Sequence, residues 1–324
     1  MRIHLGIIAV AIFVVMIGGL LIGLVAYTRR KILRKLYQPT TTIVAWSGME
    51  HLRDIYISTH SAHWSYDRPV FDGDNINVWY GNWFAHRPCV LYFHGNSYNI
   101  SYREYMAKLC SMMHLNLLLV DYRGYGRSEG HPTSSGVLRD AAVAMTFLLT
   151  QRRVEDIIVW GESLGGSPAC YIASLYANIR GLVLLSTFTS LHSLLRGPTS
   201  PMTRMIYSVA RYATRDIDIK TNNADMLRKC AASVLIIHSK DDKLIPYSNA
   251  EELYLRPVHG RVKLIPIGGD HDSPRFTRDS IRGLLNFVNS DFIDIDPIIT
   301  FVNSLGIDRI SIDESDAFID NEEL

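Results

Sequence analysis

The segment Gly161-Glu-Ser-Leu-Gly165 places one serine between two glycines, in the pattern G-x-S-x-G. The apolar run Ile157–Trp160 precedes it, and residues with helical spacing follow it over 164–178. A serine at such a strand-to-helix turn is lifted above the sheet, and the glycines are needed because side chains there would collide with neighbouring backbone. The pattern predicts that Ser163 is a nucleophile for acyl groups. The alternative is a serine that caps the helix.

A serine nucleophile needs a general base and a carboxylate that orients the base, and in sites of this kind they follow the serine as acid, then histidine. Of twelve histidines, only His271 comes after the last predicted strand, Val262–Ile265, so its position identifies it as the base. One earlier strand ends in Ser186-Thr-Phe-Thr, which has no carboxylate, whereas the next ends in Asp241-Asp242. The residues alone leave Asp241 and Asp242 open as the acid.

Acyl transfer also needs hydrogen-bond donors for the oxygen that becomes negatively charged. One donor is the backbone N–H after the nucleophile, here Leu164, and the other lies in the loop after an earlier strand. His94-Gly-Asn96 follows the apolar run Val90–Phe93, so we expect Asn96 to be the second donor. These groups need neither a metal nor an organic cofactor, and the sequence contains no H-E-x-x-H and no Walker A pattern.

Short apolar runs alternate with segments of helical spacing through the middle of the chain. The predicted strands are Val90–Phe93, Leu117–Val120, Ile157–Trp160, Leu182–Leu185, Val234–Ile237 and Val262–Ile265, and the predicted helices are about 99–114, 136–151, 164–178 and 275–289. Ile55–Thr59 and Ile76–Trp83 are expected to open the sheet as antiparallel strands. The alternation predicts an α/β fold with a mainly parallel sheet and helices on both faces. In such sheets function gathers at the carboxyl ends of the strands, where these motifs stand.

An uncharged apolar run, Leu5–Tyr27, opens the chain. It is long enough to cross a hydrocarbon core of about 30 Å as a helix, and longer than the apolar core of a signal peptide, about 7–15 residues. We therefore predict a transmembrane anchor over 1–28 and a basic juxtamembrane linker over 29–48. The positive-inside rule then places the following domain in the cytosol. Glycosylation of the sequon Asn99-Ile-Ser101 would indicate a lumenal domain instead.

The remainder divides into one domain over 49–290 and a tail over 291–324. The gap between two strands exceeds the length of a crossover helix, which predicts an insertion at about 189–230. Its residues Met202, Met205, Ile206 and Val209 have helical spacing, as expected of a helical lid. The tail has ten acidic residues and one basic residue, which is typical of a solvated or partner-binding segment, the alternative being a packed edge element.

Composition excludes several classes of protein. The formal charge of +1 argues against a nucleic-acid-binding protein, which is usually basic. The four cysteines lie far apart, without the spacing of a zinc site or a disulfide scaffold, and this suits a reducing compartment. The glycines of 124–130 are spaced one residue too far for a dinucleotide-binding loop, and His131-Pro132 follows instead of a helix.

Five motifs together resemble those of membrane-anchored α/β-hydrolase-domain (ABHD-type) serine hydrolases, a group that includes protein depalmitoylases. They are His94-Gly-Asn96, Tyr122-Arg-Gly-Tyr-Gly-Arg-Ser128, Gly161-Glu-Ser-Leu-Gly-Gly166, Asp242 with Ile245-Pro246, and Gly269-Asp-His271. The resemblance covers about residues 50–290 and implies an α/β-hydrolase fold. The family pattern H-G-x-x-D-x-x-I/V-P aligns the acid with Asp242. This chain departs from the pattern at His238-Ser239, where glycine is usual.

The predicted function is hydrolysis of acyl esters or thioesters by Ser163, Asp242 and His271, with Asn96 and Leu164 as the oxyanion donors. A tethered hydrolase meets lipid-linked acyl groups at high local concentration, so S-acylated protein or monoacyl lipid is the expected substrate class. A serine peptidase with the same triad is the enzymatic alternative. A catalytically silent hydrolase fold that acts as a binding protein is the other alternative, although such proteins usually lack a triad residue.

Overall fold

The computed structural model describes residues 2–46, 51–66, 74–194, 208–256, 260–288 and 293–308. Within them the strands are β1 (Gln38–Pro39), β2 (Arg53–Ser58), β3 (Trp64–Tyr66), β4 (Asn75–Gly81), β5 (Cys89–Phe93), β6 (Ser97–Tyr98), β7 (Asn116–Val120), β8 (Ile157–Glu162), β9 (Gly181–Leu185), β10 (Val234–Ser239), β11 (Val262–Asp270) and β12 (Ser273–Arg275). The helices are α1 (Arg2–Leu36), α2 (Glu104–Met112), α3 (Ser134–Gln151), α4 (Gly166–Leu175), α5 (Leu191–Leu194), α6 (Arg215–Lys220), α7 (Asn223–Leu227), α8 (Ser248–Tyr254), α9 (Arg278–Val288) and α10 (Ile295–Asp308).

One ten-stranded sheet forms the centre of the domain, in the order β12-β11-β10-β9-β8-β5-β7-β4-β2-β3. The six strands from β11 to β7 are parallel to one another, and the strands at both edges are antiparallel. Every residue of β5, β7 and β9 is buried, because helices cover both faces of the sheet. The predicted α/β-hydrolase architecture, with its antiparallel opening strands, is confirmed.

Two hydrophobic layers lie on opposite faces of this sheet. Helices α3, α4, α7 and α8 contribute to one layer, and α2, α9 and α10 to the other. Successive residues of a strand alternate between the layers, as Val90 and Leu91 of β5 do. Because the six central strands are parallel, their carboxyl ends lie along one side of the sheet. The loops that carry the predicted site residues start there.

Helix α1 continues through the basic residues to Leu36, so the structure differs from the predicted boundary between an anchor at 1–28 and a linker. An 18-residue stretch within Ile12–Leu36 has a mean hydropathy of 2.0, and this part of α1 is long and apolar enough to cross a membrane. The helix can continue because its last residue, Leu36, is completely buried in the domain core. Near the same end, Arg29 forms an ion pair with Asp216 of α6 and donates a hydrogen bond to the Ala213 carbonyl at 3.1 Å.

Residues 37–46, which we call the strap, lie within the predicted linker and pack on the domain. Gln38 and Pro39 of β1 pair with Ser97 and Tyr98 of β6 as a two-stranded parallel sheet. The side-chain amide of Asn99 donates hydrogen bonds to two strap carbonyls at 2.9 and 2.8 Å. The strap therefore holds the loop that follows β5.

The insertion and the tail are described in part. Residues 208–213 are helical, and Met202, Met205 and Ile206 of the predicted lid helix lie outside the described residues. The described insertion packs against α3 and α4 through α6 and α7. In the predicted acidic tail, residues 295–308 form α10, because Ile298 and Val302 share one helix face and are buried against the domain. The rest of the tail, residues 291–292 and 309–324, lies outside the described residues.

Candidate active site

Ser163 stands at the carboxyl end of β8, on the predicted turn. Its φ is +52°, in the left-handed region that non-glycine residues rarely adopt, and a short 3-10 turn over Ser163–Gly165 leads into α4. A Cβ atom on Gly165 would lie 2.0 Å from the Phe93 carbonyl oxygen, and one on Gly161 would lie 2.4 Å from the Gly165 carbonyl oxygen. Both glycines of the pattern are therefore required for the strand and the helix to meet this closely.

The structure brings Ser163, His271 and Asp242 together. The Nε2 atom of His271 lies 3.1 Å from Ser163 Oγ, and its Nδ1 atom lies 2.7 Å from Asp242 Oδ2. This arrangement fits the tautomer in which Nδ1–H donates to the carboxylate and Nε2 accepts the proton of the serine hydroxyl. The parallel pairing of β10 with β11 places the loops that carry the acid and the histidine side by side.

The carboxylate of Asp242 is buried and held on both oxygens. The backbone N–H of Ile245 donates to Oδ1 at 2.7 Å, and Nε2 of His238 lies 3.4 Å from Oδ2. Burial by itself would raise the pKa of Asp242, but hydrogen bonds from His238 and His271 outweigh it and lower the pKa to about 2. The acid is therefore ionised at neutral pH. His238 stood out in the sequence only as a departure from the family pattern. In the structure it contacts the Asp242 carboxylate.

Asp241 has a different environment. It is exposed, and its Oδ2 accepts a hydrogen bond from the backbone N–H of Gly269 at 3.2 Å. Of the two aspartates left open by the sequence, Asp242 is the one in contact with the imidazole, while Asp241 contacts the backbone of the loop that carries His271.

The loop with the predicted oxyanion donor passes beside Ser163. A Cβ atom on Gly95 would lie 3.5 Å from Ser163 Cβ. The carbonyl of Asn96 accepts hydrogen bonds from Gln38 N–H at 3.0 Å and Tyr125 Oη–H at 2.7 Å. The side-chain amide of Asn96 donates to the Lys35 carbonyl at 3.3 Å. The side chain is thus directed to the end of α1, so the backbone N–H is the group of Asn96 suited to an oxyanion.

Ser186 and Thr187 directly follow β9, and Thr187 contacts the turn that carries Ser163. Neither residue had a predicted role. The hydroxyl of Thr187 donates to the Ser163 carbonyl at 2.6 Å, and a Cβ atom on Gly166 would lie 2.1 Å from Thr187 Oγ1. Ser186 is buried with a φ of +48°. Neither composition nor periodicity predicts that a serine has a positive φ. The position of Ser186 and Thr187 close to Ser163 follows only from the pairing of β8 with β9.

Among the described residues, no group of three or more histidine, cysteine, aspartate or glutamate side chains is placed to hold a metal ion. The four cysteines are free and buried. Burial raises the pKa of the Cys89 thiol to about 12, so it is protonated at neutral pH and unsuited to act as a nucleophile.

Comparisons with known proteins agree with the fold described above. A family model described as the alpha/beta hydrolase fold matches residues 88–203. The uncharacterised protein Rv2307c of Mycobacterium tuberculosis is 30% identical over 228 residues, which cover 66% of this chain and 76% of that protein. Lysophosphatidylserine lipase ABHD12 of Danio rerio is 25% identical over 237 residues, covering 64% of this chain and 59% of that protein. The solved structure of the Pyrococcus furiosus esterase Pf2001 superposes with a TM-score of 0.55 at 18% identity, over 83% of this chain and 99% of the esterase.

Proposed function

Because the chain belongs to the α/β-hydrolase-domain family, we propose that it is a membrane-anchored serine hydrolase that cleaves acyl esters or thioesters. The protein has the fold of known esterases, and its sequence is similar to that of a lipase. The observation that carries the proposal is the series of contacts from Ser163 to His271 to Asp242, at 3.1 and 2.7 Å. Such a series activates a serine hydroxyl for attack on an acyl carbonyl.

In the proposed mechanism, Ser163 Oγ attacks the carbonyl carbon while His271 Nε2 accepts the hydroxyl proton. Asp242 holds the imidazole in the required tautomer and stabilises the imidazolium that forms. Backbone N–H groups of Leu164 and Asn96 stabilise the negative oxygen of the tetrahedral intermediate. His271 then protonates the leaving alcohol or thiol, and water, deprotonated by the same imidazole, releases the acid from Ser163.

Activity should increase with pH, since His271 must be neutral to accept the serine proton. Burial lowers the pKa of His271, but the hydrogen bond and charge of Asp242 outweigh burial and raise the pKa above the ordinary value of 6.5. We expect kcat/KM for p-nitrophenyl butyrate to rise with pH, with its midpoint above 6.5. In Asp242→Asn the midpoint of the residual activity should shift to lower pH. A wild-type profile that falls with rising pH near neutrality would contradict the assignment of His271 as the base.

The proposed substrates are S-acylated proteins and monoacyl lipids. The name of the relative ABHD12 describes a lipase for one monoacyl lipid, lysophosphatidylserine. An anchor formed by the apolar part of α1 would hold the catalytic domain close to the bilayer, where such substrates are concentrated. The fatty-acyl group, whether on an ester or a thioester, is what the two substrate types share.

Activity should increase with the length of the acyl chain. Each methylene buried in an apolar pocket contributes about 0.8 kcal/mol, so kcat/KM should rise by about fourfold per methylene until the pocket is full. The measurement is kcat/KM for p-nitrophenyl esters from acetyl to decanoyl, on full-length protein in detergent micelles. Equal values for acetyl and decanoyl esters would contradict an acyl pocket. Faster cleavage of peptide amides than of any ester would favour the peptidase alternative.

We propose that the catalytic domain faces the cytosol, because basic residues follow the apolar part of α1. The sequon cannot report this orientation well, because Asn99 is completely buried and its amide binds the strap. In sealed microsomes that contain the full chain with a C-terminal epitope, added protease should destroy the epitope without detergent. A lumenal marker protein must survive the same treatment. An epitope that is cleaved only after detergent is added would place the domain in the lumen.

A further inference from the structure

The loop that carries the proposed oxyanion donor is in contact with the segment that leaves the proposed membrane anchor. The side-chain amide of Asn96 donates to the carbonyl of Lys35, in the last turn of α1, at 3.3 Å. The strap supplies a second contact, because the backbone N–H of Gln38 donates to the Asn96 carbonyl at 3.0 Å. Two groups of Asn96 are therefore held by neighbouring residues at the end of the anchor.

The residues that follow Asn96 pair with the strap as well. Pro39 of β1 pairs with Tyr98 of β6, and the Gln38 side chain accepts a hydrogen bond from the Ser97 hydroxyl at 2.8 Å. Tyr98 has a φ of +65°, in the left-handed region where a bulky residue is rarely found. Such a conformation persists only where the surrounding structure holds it. The pairing with the strap is one of the contacts that hold it here.

The strap itself is fixed to the domain on both sides of Gln38. Just before the strap, Leu36 is completely buried in the core. Farther along the strap, the carbonyls of Thr40 and Thr42 accept hydrogen bonds from the amide of Asn99 at 2.9 and 2.8 Å, and Asn99 is completely buried. Moving the Gln38 N–H away from Asn96 would therefore disturb buried residues on either side of it.

The direction of the Asn96 N–H depends on these contacts. This N–H belongs to the peptide between Gly95 and Asn96, whose carbonyl accepts a hydrogen bond from His94 Nδ1 at 2.7 Å. The carbonyl and the N–H of a trans peptide point in opposite directions, so His94 fixes one end of the peptide plane. The other end is fixed through the side chain and the carbonyl of Asn96, to which Tyr125 also donates at 2.7 Å. Donors that are held in place before the reaction stabilise an oxyanion most effectively.

We propose that the end of α1 and the strap position the Asn96 N–H for catalysis, so that the anchor segment contributes to the active site as well as tethering it. The inference rests on the proposed function, because it needs Asn96 to be an oxyanion donor. Lys35 and Gln38 are positioning residues that act through Asn96. A tether alone would affect only substrates embedded in a bilayer. A positioning segment affects the hydrolysis of every ester, soluble ones included, because it acts on the transition state.

The test is the Asn99→Asp variant of the full chain. It replaces the amide that donates to two strap carbonyls with a carboxylate, which repels them. With p-nitrophenyl butyrate in detergent micelles, where tethering to a bilayer has no part, kcat should fall at least about tenfold with little change in KM. Removing an oxyanion donor costs about 100- to 1000-fold, and a displaced donor loses part of that effect. Rates are expressed per active site, counted by complete labelling with a fluorophosphonate.

Asn116→Asp is the matched control. Asn116 is also completely buried, and its amide donates to the carbonyls of Phe84 and Arg87 at 2.8 and 3.0 Å. It begins β7 and so lies at the amino ends of the parallel strands, opposite the side where Ser163 stands. The control should lose thermal stability but keep the wild-type kcat per active site. Equal losses of kcat in the two variants would show that destabilisation is the cause and would overturn the inference.

Two variants at Gln38 test the same contact from the strap. Gln38→Pro removes the N–H that holds the Asn96 carbonyl, whereas Gln38→Ala keeps this N–H and loses the side-chain contact with Ser97. The proline variant should have a kcat per active site at least about tenfold below that of the alanine variant. Equal values would overturn the inference. This pair decides the question if Asn99→Asp fails to fold.

The outcomes separate this inference from the function on which it rests. If wild-type protein cleaves the butyrate ester and both Asn99→Asp and Gln38→Pro keep its kcat per active site, the strap has no positioning role while the serine hydrolase proposal stands. If wild-type protein cleaves no ester and Ser163 does not react with a fluorophosphonate, the proposed function is wrong and the inference falls with it.

Discussion

Replacing Ser163 with alanine should lower kcat for ester hydrolysis by at least about four orders of magnitude. The change removes the proposed nucleophile, and the oxyanion donors alone give only weak catalysis over water. The measurement is the initial rate on p-nitrophenyl butyrate with purified full-length protein. Ser167→Ala is the matched control, because it removes another buried hydroxyl from the neighbouring helix α4 without touching the triad.

The control should retain most of the wild-type rate. The nucleophile assignment would be refuted by a Ser163→Ala protein that keeps more than about a tenth of the wild-type kcat. Circular dichroism of both variants shows whether a lost rate reflects chemistry or unfolding.

Replacing Asp242 with asparagine should lower kcat by about four orders of magnitude, whereas Asp241→Asn should lower it by less than about tenfold. The first variant removes the charge that stabilises the imidazolium and disturbs the tautomer set by the 2.7 Å contact with His271. The second leaves that contact unchanged, because Asp241 is exposed and its carboxylate accepts a hydrogen bond from the backbone N–H of Gly269.

Both aspartate variants change one carboxylate oxygen into an amide nitrogen, so each is the size-matched control of the other. Their rates on p-nitrophenyl butyrate should be compared at one pH above the midpoint of the wild-type profile. If Asp241→Asn lowered kcat more than Asp242→Asn, Asp241 would be the functional acid. The contact between Asp242 and His271 would then not be the one that supports catalysis.

Much of the fold follows from the sequence. Short apolar runs rich in β-branched residues, separated by segments long enough for a helix, are sufficient to predict a buried parallel sheet. The turn at Ser163 could be predicted because its two glycines indicate that the backbones of the strand and the helix come close together there. His271 was placed by its position after the last strand. Such features are local in the chain, and their consequences in an α/β sheet are governed by a general rule about strand ends.

Other features depend on long-range contacts that periodicity does not report. The contact of Asp242 with His271, in preference to Asp241, depends on the turn that brings Ile245 N–H and His238 to the carboxylate. The strap has no regular apolar pattern, and it is held by the amide of Asn99, which the sequence presented only as a sequon. The first part of the acidic tail packs as a helix because Ile298 and Val302 share one face and are buried against the domain.

The most direct test is to map the residue that a fluorophosphonate modifies. The probe forms a stable bond only with an activated hydroxyl, so it reports the proposed nucleophile without assuming any substrate. Native full-length protein should react rapidly and carry the adduct on the peptide that contains Ser163, and Ser163→Ala protein should not react. An adduct on another serine, such as Ser186, or undiminished labelling of Ser163→Ala protein would contradict the account.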